Sequence, residues 1–344
     1  MTQSVVPARV RVPNFVGQGK IDFIEKGVPT PGEGELLIQV KANAICGTDR
    51  EQFYAGSTVT PGHEASGVVI AAGPGTHTPL GTPGVIFLMD YCGSCRSCHK
   101  SFTNQCLNKR GDMGFNRDGG YGSYELIHEN IFFPIDPDLS FADATLLLDI
   151  MGTGGHAIKR ARLVHPDIES LVVTGAGPIG LAVLTMAKVL LGEDFPVLIS
   201  DVSEYRLALA EQLGGKPIQL KETTLAEGVR KHGILSVDLA VDSSGKQAAR
   251  QDALGVLAQR GVLVCVGHGE DLQLHVSSDL IATERAVMGS EYFAYQELTH
   301  NLVLLQQHRS YLRQIITHTF PVSEIQQAFE LFFSGKTGKV VIAQ

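Results

Sequence analysis

Leu171-Val-Val-Thr-Gly175-Ala-Gly177-Pro178-Ile179-Gly180-Leu-Ala-Val183 decides how this chain folds. An apolar run of strand length enters Gly-x-Gly-x-x-Gly and continues as an apolar stretch of helical length. Gly175 supplies a tight turn, Gly177 lets a pyrophosphate approach the backbone, and Gly180 lets the helix pack close to the strand. The unpaired N–H groups and positive dipole end of the new helix then face the phosphates. Gly175, Gly177, Pro178, Ile179 and Gly180 are therefore candidate dinucleotide contacts. The next strand-like run, Pro196-Val-Leu-Ile-Ser-Asp201, ends in an acid twenty-one residues after Gly180. Such an acid accepts hydrogen bonds from ribose hydroxyls and repels a 2′-phosphate, which favours NAD over NADP. Arg206, five residues on, either flanks the adenosine ribose or is a solvated helix residue.

Strand and helix patterns alternate outward from this motif. After Leu171–Thr174 come a helical stretch Gly180–Leu191, a strand Val197–Ser200, a helix Glu204–Leu213, a strand Val237–Val241, a helix Lys246–Leu257 and a strand Gly261–Val266. This is the β-α-β-α rhythm of an open, doubly wound parallel sheet. The first ~150 residues read differently, as short strands (Glu35–Lys41, Ala65–Ala72, Gly84–Met89) punctuated by Pro-Gly turns, an all-β, barrel-like unit. Beyond about residue 292 follow a helix Tyr295–Gln307, a strand, a helix Ser323–Phe333 and a strand Lys339–Ala343. That closing segment either extends the parallel sheet or returns to the first unit.

Composition narrows the function classes. The chain has 344 residues, 44% of them hydrophobic and 19% charged, which suits a protein of two domains with sizeable cores. The formal charge of −8 gives no electrostatic reason to expect nucleic acid or an anionic membrane as partner. No run approaches the ~20 apolar residues of a membrane span. Met1–Arg9 lacks the apolar core of a signal peptide, so the expected location is cytoplasmic and the thiols are expected to be reduced.

Four of the six cysteines lie in Cys92-Gly-Ser-Cys95-Arg-Ser-Cys98 and Cys106. Two-residue spacers let consecutive sulfurs wrap one ion, and the longer gap lets the chain bring back a fourth ligand, so a structural zinc is expected. A pair of disulfides or a redox Cys-x-x-C is the alternative. Four thiolates leave no open position for substrate. The lobe is accordingly expected to contribute local stability rather than chemistry.

Cys46 stands apart in Ile-Cys46-Gly-Thr48-Asp-Arg-Glu51, and His63-Glu64 follows Pro61-Gly62. A cysteine and a histidine placed after strand-like runs offer two ligands to a second zinc, and a third protein ligand would leave one position for an alcohol or carbonyl oxygen. Cys265, inside the apolar run Gly261–Gly267, reads as a small core hydrophobe.

Over essentially its whole length the chain resembles the zinc-dependent medium-chain dehydrogenases of alcohols, polyols, threonine and glucose. Cys46-Gly-Thr-Asp, Gly62-His-Glu, the four-cysteine lobe, Asp118-Gly-Gly-Tyr-Gly-Ser-Tyr124, the Gly175–Gly180 motif and the ending Lys336–Val341 carry the resemblance, in the family's order. It implies a GroES-like β-barrel catalytic domain of residues 1–149 and 293–344, with a zinc lobe at about 90–110. It implies also a Rossmann NAD-binding domain of residues 150–292.

Carried across by position, Cys46 and His63 match catalytic zinc ligands, and Glu64 matches the acid that reaches the metal directly or through movement. Asp149, in Leu146-Leu-Leu-Asp149-Ile-Met-Gly152, matches the acidic third ligand of polyol and threonine dehydrogenases rather than the cysteine of alcohol dehydrogenases. A carboxylate in place of a thiolate makes a harder, stronger Lewis acid, which points away from simple alcohols to a sugar, polyol or cyclitol, with a hydroxyamino acid such as threonine, an aldose such as glucose, or a cofactor-binding sensor without activity as alternatives. Thr48 matches the residue that hydrogen-bonds the substrate oxygen. Many relatives end the proton relay at a histidine where this chain has Glu51, so either Glu51 relays the proton or the path differs. The implied cofactors are one catalytic and one structural zinc per chain and NAD. The implied assembly is a homotetramer, with a dimer as alternative.

Two stretches depart from the pattern or stay open. Thr78–Phe87 lacks the usual Val-Gly-Asp-Arg-Val-like motif and reads as a changed barrel turn. Asp112, Asn116 and Arg117 either bind substrate hydroxyls or hold their own loop together.

Overall fold

The computed structural model describes residues 6–344, so the first part of the N-terminal segment read for an export signal lies outside the described residues. Leu171–Thr174 forms the strand expected of it and sits centrally in a six-stranded, all-parallel sheet. The order of that sheet is Lys216–Gln219, Val197–Asp201, Leu171–Thr174, Val237–Asp242, Leu257–Cys265 and Ala286–Gly289. Chain order therefore reverses between the first and fourth strands, which opens a crevice at their carboxyl ends. The central strands are buried on both faces and read as continuous apolar runs for that reason. The helix Pro178–Leu191 begins with Gly177 as cap and Pro178 in its first turn, where the missing N–H is not needed.

The other large sheet is mostly antiparallel. Its path runs Ile316–Pro321, Lys339–Ala343, Glu35–Ala44, Ala65–Ala72, Pro83–Ile86 and Phe132–Pro134, with Tyr124–His128 also paired to Glu35–Ala44. Val341 pairs with Ala44, so the closing segment returns to the first unit. The helix read as Tyr295–Gln307 runs Glu297–Leu312. The hairpin Arg9–Gly17 with Lys20–Gly27, whose Arg-Val-Arg-Val and Lys-Ile-Asp-Phe runs alternate polar and apolar, adds two strands to those quoted from the sequence.

Among the described residues no helix is long and apolar enough to cross a membrane. All six cysteines are free, with no disulfide among them.

Candidate active site

Four buried side chains converge on one point. Cys46 Sγ, one imidazole nitrogen of His63, and one carboxylate oxygen each of Glu64 and Asp149 all lie within 4.8 Å of one another. Cys46 Sγ is 3.0 Å from Asp149 Oδ2, and His63 Nε2 is 3.9 Å from that same oxygen.

Local structure explains how each arrives there. Cys46 follows the strand Glu35–Ala44, and its N–H donates to Asp49 Oδ2 at 3.1 Å. His63 follows Gly62, whose φ is +103° and whose added Cβ would stand 2.7 Å from the Tyr121 nitrogen, so only glycine fits that turn. The Glu64 N–H donates to Asn43 Oδ1 at 3.1 Å. Asp149 opens a π-helical turn, Asp149–Thr153, a rare geometry that concentrates at functional sites. Gly152 in that turn leaves room for the Phe293 ring, 2.1 Å from where a Cβ would stand.

Three contributors escaped the sequence reading. Lys339 is fully buried, and its ammonium lies against Glu64 Oε1. Asp49, also fully buried, accepts the Tyr121 hydroxyl at 2.7 Å and faces His63 Nδ1 at 3.4 Å, outside good hydrogen-bond geometry. Phe115 lies against the His63 ring, with centroids 4.9 Å apart. An apolar pattern gives no warning of a lysine inside a strand; the charge at the head of Lys339–Ala343 was the available signal.

The electrostatics are those of a cation site. Burial raises the Cys46 thiol and the neighbouring Asp149 charge raises it further. Burial pushes the Glu64 carboxyl well up, with Asp149 acting the same way. Burial opposes charge on His63 and Asp149 alike, but their closeness to each other raises the imidazole well above its usual range and holds the carboxyl below its own. His63 Nδ1, Glu64 Oε2 and Asp49 Oδ1 are buried without hydrogen-bond partners. Buried polar groups left unpaired in this way are costly unless something else binds them. A thiolate, an imidazole and carboxylates at this spacing fit zinc.

Thr48 and Glu51 lie beside the cluster rather than in it. Thr48 precedes the helix Asp49–Ala55 without capping it, and both residues are exposed. Asp112, Asn116 and Arg117 bond within their own loop: Asn116 Oδ1 accepts the Asp112 N–H at 2.8 Å, and Arg117 donates to the Arg110 carbonyl at 3.3 Å.

The second thiol group is equally compact. Ligand atoms of Cys92, Cys95, Cys98 and Cys106 lie within 4.8 Å of one another, with Cys95 Sγ 3.5 Å from Cys98 Sγ and 3.9 Å from Cys106 Sγ. These are unbonded sulfurs gathered around one point, as a tetrahedral ion requires.

At the crevice of the parallel sheet, Gly175 has φ +91°, and a Cβ on Gly180 would lie 1.8 Å from the Gly175 carbonyl oxygen. Gly177 is open, its nearest neighbour being Arg206 Nη1 at 3.9 Å from a built Cβ. Asp201 receives the Ala176 N–H at 2.7 Å and the Ser203 N–H at 2.8 Å, so it braces the glycine turn. Arg206 lies over Gly177 and Gly335, its Nε buried and unpaired.

Comparison with known proteins agrees with this geometry. Residues 32–137 match the alcohol dehydrogenase GroES-like domain, and residues 178–307 match the zinc-binding dehydrogenase domain. The chain is 31% identical to the uncharacterized zinc-type alcohol dehydrogenase-like protein YphC of Escherichia coli (strain K12), over 95% of this chain and 96% of that one. The chain belongs to the zinc-dependent medium-chain dehydrogenase family. Its fold is a GroES-like unit joined to a Rossmann unit, and its class is oxidoreductase. It is 30% identical to the L-threonine 3-dehydrogenase of Saccharopolyspora erythraea, covering 94% of this chain and 95% of that one. A short chain alcohol dehydrogenase of Escherichia coli CFT073, solved with NADH, superposes with a TM-score of 0.88 at 21% identity, covering 98% of this chain and all of that one.

Proposed function

We propose that this dehydrogenase reversibly oxidises a secondary alcohol of a sugar, polyol or cyclitol to the ketone, passing hydride to NAD+. The observation that carries the reading is Asp149 standing 3.0 Å from Cys46 Sγ inside the four-donor cluster, where a carboxylate replaces a thiolate.

In this reading Cys46, His63 and Asp149 hold the catalytic zinc, and Glu64 stands by as a fourth donor against Lys339. Bound there, zinc supplies Lewis acidity that makes an alcohol easier to deprotonate. Thr48 accepts the hydroxyl proton of the substrate and passes it outward, with the exposed Glu51 as the next acceptor. Gly175, Gly177, Pro178, Ile179 and Gly180 seat the pyrophosphate; Asp201 takes the ribose hydroxyls, and Arg206 flanks them. Bound NAD+ provides the hydride acceptor. Cys92, Cys95, Cys98 and Cys106 hold the structural zinc.

Sheet membership supports a catalytic unit of residues 1–149 and 293–344 and a cofactor unit of residues 150–292. Gathered free thiols suit a reducing compartment, and we place the protein in the cytoplasm. The family resemblance supports a homotetramer, with a dimer as alternative.

The threonine dehydrogenase relative favours a second reading, oxidation of a hydroxyamino acid. One assay separates the two: NAD+ reduction by the zinc-loaded protein across polyols, aldoses and L-threonine. Turnover of polyols above threonine supports the first reading; preference for threonine overturns it.

A further inference from the structure

Residues 289–295 leave the edge of the parallel sheet and pass against the turn that bears Asp149, carrying a tyrosine whose hydroxyl has no hydrogen-bond partner among the described residues. Tyr292 is 5% exposed and its Oη is buried without a hydrogen-bond partner. Leaving such a group unpaired is unfavourable unless a ligand or water meets it. Its backbone is also unusual, at φ +45°, a left-handed conformation that a bulky side chain rarely adopts. Strain of this kind persists only where the surroundings impose it, and it gathers at functional sites.

Those surroundings are specific. Asn104 Nδ2 donates to the Glu291 carbonyl at 2.7 Å, and Thr103 Oγ1 accepts the Tyr295 N–H at 2.8 Å. Both anchors belong to the four-cysteine lobe, which therefore grips the segment on either side of Tyr292. On the sheet side the Ser290 N–H donates to the Cys265 carbonyl at 3.0 Å. The Tyr292 ring is wedged between Phe87, with centroids 5.1 Å apart, and Phe293, at 4.3 Å. Phe293 in turn fills the space Gly152 leaves open in the turn that bears Asp149.

The phenol lies within electrostatic reach of the cluster. Burial pushes it well above its usual range, and the charges of Asp149, Glu64 and Cys46 act in the same direction. It therefore stays protonated and remains a donor. The Leu88 amide faces the phenol oxygen without meeting hydrogen-bond geometry, and it offers nothing to the phenolic hydrogen.

We propose that Tyr292 is a substrate-positioning residue whose hydroxyl donates to a second oxygen of the substrate, on a carbon next to the one that loses hydride. The reacting oxygen is already provided for by the cluster and Thr48, which leaves the phenol for a neighbouring hydroxyl. A site with an unpaired buried donor rejects analogues that cannot satisfy it far more strongly than an apolar pocket rejects a missing methylene. The proposal deepens the polyol reading and rests on it.

The test compares zinc-loaded wild type with Tyr292→Phe, which keeps the ring and removes only the hydroxyl. With NAD+, kcat/KM for butane-2,3-diol should fall about 10- to 100-fold more than that for butan-2-ol. The Tm of the variant should match or exceed that of wild type, because the lost hydroxyl bonds nothing in the fold. Equal loss on the two alcohols, or none, overturns the proposal while leaving the dehydrogenase reading in place. A Tm lower by several degrees also overturns it, because the hydroxyl would then serve the fold, through a buried water or otherwise. If wild type oxidises no alcohol at all, the functional reading fails on that result, and the melting comparison still decides whether the hydroxyl is free for a ligand.

Discussion

Lys339 Nζ lies against Glu64 Oε1 with both residues fully excluded from solvent. Burial opposes charge on the lysine, but Glu64 and Asp149 outweigh it and raise the ammonium well above its usual range. Lys339 is thus a cation set beside Cys46, Glu64 and Asp149, and with the His63 imidazole it balances their negative charge. Lys339→Met should cost about 3–5 kcal/mol of stability, because it leaves Glu64 buried and uncompensated. Urea unfolding of the zinc-loaded protein measures this, and a loss below about 1 kcal/mol would show that the pair does not anchor the site.

Gly152 and Phe293 couple the Asp149 turn to the segment that leaves the parallel sheet. A Cβ at residue 152 would stand 2.1 Å from the Phe293 ring, so Gly152→Ala must displace either the ring or the turn. Overpacking of this kind costs about 1–3 kcal/mol. The displaced Asp149 should also lower kcat more than it raises KM for NAD+. Steady-state kinetics at varied NAD+ reads the split; a variant with wild-type kcat would separate the turn from the chemistry.

Glu297 ties the helix Glu297–Leu312 to the helix Gly154–Arg162 through His156 Nδ1 and Lys159 Nζ, each 2.6 Å from a carboxylate oxygen. Burial would raise its carboxyl, but His156 and Lys159 hold it at about 2 against an ordinary 4.5. A depressed carboxyl contributes stability that is whole above its ordinary value and is lost as pH falls from there through about 2. Glu297→Gln should therefore be less stable than wild type near neutrality by up to about 3 kcal/mol. The gap should close progressively below pH ~4.5. Denaturation midpoints of both proteins across pH measure it, and a gap independent of pH would mean the carboxylate charge contributes nothing.

The parallel sheet was legible because its strands are buried on both faces, so apolar runs and glycine turns mark their ends without ambiguity. That Cys46, His63 and Asp149 belong together was legible because thiol, imidazole and carboxylate stand in the spacing of a known family, and the three side chains do meet. Lys339, Asp49 and Tyr292 were not. Lys339 acts through Glu64, 275 residues away, Asp49 through the Tyr121 hydroxyl, 72 residues away, and Tyr292 through a backbone conformation, and neither periodicity nor local spacing records such contacts. The four-cysteine lobe was read as a local staple; its Thr103 and Asn104 bonds to Tyr295 and Glu291 show a reach that cysteine spacing alone does not carry.

The central claim is that Cys46, His63 and Asp149 form a catalytic zinc site distinct from the four-cysteine lobe. Zinc content per chain, measured with NAD+ reduction on wild type, Cys46→Ser and Cys106→Ser, tests it most directly. Two ions are expected in wild type. Cys46→Ser should weaken or lose one ion and lose turnover while keeping its Tm within a few degrees. Cys106→Ser should lose the other ion and melt at a lower temperature. Undiminished turnover with two ions retained in Cys46→Ser would contradict the account.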